Sequence, residues 1–163
     1  LGFAGGLTID RETREILGAL LMAMPEEPAP QDLEKLESAL RQGLPKADAD
    51  KAIKLLHGYR GYLGDMKVEV ARMGIPDTPQ AGHEYFDRLA QLQRRHFDDA
   101  TAQALFGQEN LNARLTMQAS FINNNAGLSL SEKTAQLEAL RAQLPADLRN
   151  LIPDPPAPEP ERQ

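Results

Sequence analysis

Arg94-Arg95-His96-Phe97, Leu105-Phe106-Gly107, Leu128-Ser129-Leu130-Ser131-Glu132-Lys133 and Leu137-Glu138-Ala139-Leu140-Arg141-Ala142-Gln143-Leu144-Pro145 punctuate residues 94–145 as a train of amphipathic helices. A short helix is expected from about Asp98 to Phe106, stopped by Gly107, because glycine readily takes the left-handed conformation that ends helices. The next runs from about Gln108 to Asn123, with Leu111, Leu115 and Ile122 on one row and Met117 and Phe121 on an adjacent one. Asn123-Asn124-Asn125-Ala126-Gly127 reads as a loop by composition. Ser129-x-x-Glu132 is a capping box, in which each residue satisfies the other's backbone N–H. It opens a helix with Leu137, Leu140 and Leu144 inward and Pro145 as its stop, and Ala146 to Leu151 has room for another turn or two.

Moving toward the N-terminus, the same grammar repeats. Asp10 can cap a first helix to about Met24, whose Ile16, Leu17, Leu20, Leu21 and Met24 form one broad apolar face, expected to be buried. Pro25 stops it, and Glu26 to Pro30 is a turn. A second helix carries Leu33, Leu36, Leu40 and Leu44 and ends at Pro45. The longest runs from about Asp48 to Met73, with Ala52, Leu56, Tyr59, Leu63, Met66, Val70 and Met73 at alternating spacings of four and three. That period is a coiled-coil seam, and it suits a second copy of the chain as readily as a neighbour in the same chain. Gly58, Gly61 and Gly64 interrupt it, each costing about 1 kcal/mol against alanine. They mark either a kinked or split helix or a smooth strip where another backbone approaches. A fourth helix, Pro79 to about Phe97, places Tyr85, Leu89, Leu92 and His96 on one stripe. From Pro153 the proline-rich tail favours polyproline II. Nothing alternates with the period of a strand, so the fold class is all-α.

Composition narrows the function. The chain of 163 residues has a net charge of −6, which opposes nucleic acid as a partner, and no Cys, which excludes disulfides and Cys-ligated metals. No apolar run reaches the length of a spanning helix. The sequence starts at Leu1, so a membrane anchor or signal upstream remains an expectation. No nucleophile elbow, P-loop or dinucleotide fingerprint is present, and no cofactor or catalytic residue is expected. His83-Glu84 lacks the second His of a zinc-protease face, while His96 with Asp98 and Asp99 sits too close in sequence to converge easily on one ion. A metal-dependent hydrolase using His83, Glu84, His96 and Asp98 is therefore the least favoured reading. Helical surface is what remains, as a binding face for another protein or as packing within the fold.

Several ordered pieces resemble the lipase-specific foldases, the helical chaperones of secreted bacterial lipases. Leu55-Leu56-His57-Gly58-Tyr59-Arg60-Gly61-Tyr62 resembles the Leu-Leu-x-x-Tyr segment of that family's extended helical region. Arg94-Arg95-His96-Phe97 with Leu105-Phe106-Gly107 resembles its link into a second small domain, and Leu130-Ser131-Glu132-Lys133 through Leu144-Pro145 its closing helices. The resemblance covers most of residues 7–150. It implies an elongated arrangement: residues 1–25 from a first small domain, 26–97 as an extended helical arm, 98–152 as a second small domain and 153–163 as a disordered tail. It further implies a periplasmic steric chaperone, tethered to the inner membrane by a segment upstream, that binds a secreted lipase or related hydrolase without bond chemistry. The family's Arg-x-x-Phe-Asp-Tyr signature falls on Arg14-Glu15-Ile16-Leu17-Gly18-Ala19. Arg14 is kept, while Leu17, Gly18 and Ala19 replace Phe, Asp and Tyr. Arg14, Leu17, Gly18 and Ala19, with Gly58, Gly61 and Gly64, are the expected partner-binding residues. The lost carboxylate and phenol leave a second expectation, an adaptor that kept the fold and lost foldase activity.

Overall fold

Six α-helices and a short 3-10 helix make up the computed structural model, which describes residues 6–25 and 28–156. They are α1 Arg11–Met22, α2 Pro30–Gly43, α3 Lys46–Met73, α4 Pro79–His96, α5 Asp99–Asn124 and α6 Leu130–Arg141, followed by 3-10 turns at Ala146–Leu151. Among the described residues there is no strand, as the missing two-residue alternation predicts. The expectations for residues 1–5, 26–27 and 157–163, including most of the proline-rich tail, lie outside the described residues.

Local chemistry sets the boundaries. Asp10 accepts from the Thr13 N–H at 2.9 Å, and the Asp10 N–H donates back to Thr13 Oγ1 at 3.1 Å. Ser129 and Glu132 make the same reciprocal pair at the start of α6, at 3.2 and 2.8 Å. α3 stops at Gly74, whose φ of 69° and ψ of −166° suit glycine alone.

Two positions depart from the sequence reading. Gly107 does not end a helix, and α5 is continuous from Asp99 to Asn124. Among the described residues, the glycines with positive φ are Gly6 and Gly74, so Gly107 keeps the helical backbone. The Gln103 amide lies across the space a side chain there would fill. On α1 the apolar face is not uniformly buried: Leu17 is enclosed, whereas Ile16 is 45% exposed. α3 likewise stays helical through its three glycines.

The chain divides into two compact units, each with its own core. The first comprises the chain up to Gly74 together with Arg88–Gln108. Its core gathers Leu17, Leu55, Leu56, Tyr59, Tyr62, Leu92, Phe97, Leu105 and Phe106. Phe106 is the hub of the aromatic part, with ring centroids 4.9 Å from Tyr62, 5.7 Å from Phe97 and 6.1 Å from Tyr59. α3 lies at the centre of this unit, which is why Leu55 and Tyr62, outside the seven-residue seam, are buried with the seam residues Leu56 and Tyr59.

The second unit comprises Ile75–Asp87 and the chain from Glu109 onward. Leu115 and Ala119 of α5, Leu137 and Leu140 of α6, Leu144 and Ile152 form its core. Arg141 fastens the 3-10 helix beneath α6. Its Nε donates to the Ile152 carbonyl at 2.8 Å, and its terminal nitrogens reach Glu138 and Asp154. Lys133 Nζ donates to the Asn123 carbonyl at 2.8 Å, a cation at the negative end of α5.

Candidate partner-binding surface

The residues that sequence reasoning assigned to a partner fall in the first unit, where they play different parts. On α1, Leu17 belongs to the core and Arg14 is half-buried. Gly18 faces Tyr59 closely enough that an added Cβ would lie 3.7 Å from the phenol oxygen, an ordinary contact. Ala19 is exposed, as is Met22 one turn on. One side of α1 therefore seals the unit, while the other is exposed.

Beside Leu17 lies an apolar groove of about 220 Å³, lined from α1, α2 and α3 by Leu17, Leu20, Leu40, Leu44 and Leu56, with Leu7 across one end. The leucine stripe of α2 makes it. Leu36 and Leu40 rest against the core, yet no residue of α2 is fully buried. Leu7 is held there by its backbone: its N–H donates to Asp48 Oδ1 at 3.0 Å, and its carbonyl accepts from Lys51 Nζ at 3.1 Å. Both partners are in the first turns of α3, more than forty residues on, and nothing in the sequence around Leu7 signals them.

The three glycines of α3 separate into two kinds. A Cβ on Gly58 would lie 2.9 Å from Phe97 Cε1 and 3.2 Å from the His96 carbonyl, and one on Gly61 would meet the His96 ring at 2.9 Å. What approaches them is the end of α4 and the residue after it, in the same unit: the Phe97 ring and the His96 carbonyl at Gly58, and the His96 ring alone at Gly61. His96 is pinned over Gly61 by Asp65, whose Oδ2 is 2.8 Å from its Nε2. Gly64 has nothing within 4 Å and is exposed.

The titratable side chains singled out in the sequence go to separate partners. His83 pairs with Asp87 at 3.3 Å and His96 with Asp65, while Asp98 accepts from the Thr101 N–H at 2.8 Å as a helix cap. That backbone hydrogen bond holds the Asp98 carboxyl below its ordinary range. Among the described residues, no group of three or more His, Asp and Glu is placed to hold a metal ion. Nor, among them, is any helix long and apolar enough to cross a membrane.

The family described as proteobacterial lipase chaperone protein matches residues 55–157. This chain belongs to that family. Curated relatives extend the likeness to α1 and α2. The lipase chaperone of Stutzerimonas stutzeri is 30% identical over 158 residues, 93% of this chain and 45% of its own length. That of Acinetobacter baylyi is 32% identical over 151 residues, 90% of this chain and 43% of its own. That of Chromobacterium violaceum is 25% identical over 151 residues, covering 93% and 48%. The chain thus spans a little under half the length of these relatives. No solved structure matches it.

Proposed function

We propose that this chain is a client-binding part of a lipase chaperone, which holds a secreted lipase or related hydrolase and assists its folding in the periplasm without bond chemistry. The family match over residues 55–157 carries the reading. Three features of the first unit support it. The outer side of α1 leaves Ile16, Ala19 and Met22 exposed where the family's signature falls. An apolar groove adjoins it. Gly64 opens the outer side of α3 to close approach. In this reading Arg14, Ala19 and Gly64 meet the client, Leu17 and Gly18 set α1 against α3, and Gly58 and Gly61 set α4 against α3. A tether to the inner membrane would lie upstream of Leu1.

The test is refolding. The secreted lipase encoded nearest this chain's gene is denatured, then diluted with and without the chain, and esterase activity is followed. Activity returning with the chain present is the expected result. Co-elution without activity would mean that the changed signature has left a binding adaptor. Neither would refute the reading for that client.

A further inference from the structure

Two arginines reach one carboxylate across α3 and α4, and a third, Arg95, lies about two turns beyond Arg88 on α4. Arg88 Nε donates to Glu69 Oε1 at 2.7 Å, and an Arg72 nitrogen lies 3.9 Å from Glu69 Oε2. Arg95 adds its field to theirs. The Arg88 hydrogen bond is the chief reason that the Glu69 carboxyl is held below its ordinary range. Glu69 is 14% exposed, against 43% for Arg88 and 74% for Arg72, so one sheltered negative charge sits under a surplus of positive charge facing water. This occurs in a chain of net charge −6.

The other charged groups nearby do not cancel the surplus. Asp65 is hydrogen-bonded to the His96 ring and counts against the surplus, leaving three guanidinium groups against two carboxylates, while Asp99 pairs with Arg94 at 3.2 Å. Beside the cluster, α3 exposes Gly64, Val68 and Ala71, a row of short side chains. Helices that lie in a lipid interface present long apolar side chains such as Leu, Phe and Trp. A short apolar row bordered by guanidinium groups suits a folded protein surface, and the charge selects an acidic one.

We propose that Arg72, Arg88 and Arg95, organised around Glu69, are a docking site for an acidic surface of the protein client. The proposal rests on the chaperone reading and adds to it the charge of the surface recognised. Glu69 holds Arg88 in place, and Arg72 and Arg95 steer the encounter. Electrostatic steering of this kind acts on association more than on dissociation.

The experiment measures association and dissociation rates of the full chain with the same secreted lipase, at low and at moderate salt. Arg72→Gln with Arg95→Gln leaves the Arg88–Glu69 bond in place. It is expected to slow association roughly tenfold at low salt, to change dissociation less than about threefold, and to flatten the salt dependence. Arg72→Lys with Arg95→Lys keeps the charge and should restore the on-rate. Lys35→Gln with Arg149→Gln removes the same charge elsewhere and should leave the rates near wild type. Wild-type rates in the Arg72/Arg95 glutamine variant would overturn the proposal and leave the chaperone reading standing. Equal slowing in the Lys35/Arg149 variant would overturn it in favour of net charge alone. Loss of binding to phosphatidylglycerol vesicles with unchanged lipase kinetics would overturn it in favour of an anionic lipid surface. No binding of the lipase by the unaltered chain would bring down the reading and the proposal together.

Discussion

Alanine at Gly58 and alanine at Gly64 should have opposite effects on stability, although both glycines lie inside one helix. Removing a glycine from a helix interior is worth about 1 kcal/mol when nothing else changes. At Gly64 nothing else changes, because no atom lies within 4 Å of the added methyl. Gly64→Ala should therefore stabilise the first unit by about 0.5–1 kcal/mol, a rise in Tm of roughly 2–4 °C. At Gly58 the methyl meets Phe97 Cε1 at 2.9 Å and the His96 carbonyl at 3.2 Å. The ring is buried in the core and the carbonyl is main chain, so neither swings aside freely. Overpacking of this kind costs about 1–3 kcal/mol and outweighs the gain in propensity. Gly58→Ala should then lose roughly 0.5–2 kcal/mol. Urea denaturation followed by far-ultraviolet circular dichroism reads both variants on one scale. If Gly58→Ala gained as much as Gly64→Ala, the close approach of α4 to α3 would not be rigid, and the reason given for that glycine would be wrong.

Arg141→Ala should free the 3-10 helix from α6, because one guanidinium supplies the bonds to Ile152, Glu138 and Asp154. Hydrogen exchange at residues 146–152 should speed up sharply while the amides of α3 keep their protection; equal acceleration in both would mean that Arg141 is no local fastening. The Glu132 carboxyl is held below its ordinary value by the Ser129 backbone N–H and then by the Ser129 hydroxyl. A lowered carboxyl stabilises the fold above its unfolded value and loses that contribution as the pH falls through the folded one. Glu132→Gln should accordingly flatten the acid limb of the stability profile and leave its slope at neutral pH unchanged, as thermal melts across the acid range would show.

What the sequence discloses is largely local. The Asp10 and Ser129 caps, the end of the long helix near Met73 and the leucine rows of α2 and α6 depend on neighbours within a turn or two, and each appears where its spacing places it. Gly107 shows the limit of such reading: a glycine ends a helix only when its φ turns positive, and the packing of Leu105 and Phe106 holds that segment helical. The glycines of α3 leave two readings open in the sequence, a kinked helix or a strip of close approach, and neither discloses that Gly58 and Gly61 meet Phe97 and His96, brought there by the antiparallel return of α4, while Gly64 meets nothing. The groove and the arginine cluster were missed for the same reason. Leu7 meets Asp48, and Arg88 meets Glu69, only once separate helices are laid side by side. Of the Arg14–Ala19 signature, the sequence supplied the positions, whereas which of them face inward needed Tyr59 as a reference.

The first unit is not a continuous piece of chain, and this bears on how the protein emerges at its own birth. Its hub, Phe106, joins Tyr59 and Tyr62 only after the chain has departed at Gly74 and come back at Arg88. In a polypeptide delivered N-terminus first, Leu17, Leu56 and Tyr59 wait uncovered until α5 begins to appear. Contacts so distant in sequence delay closure and leave apolar surface open to strangers. In the proposed role, a chain that shelters another thus passes through an interval in which its own core has no shelter, and a pause in synthesis just before residue 106 would prolong it.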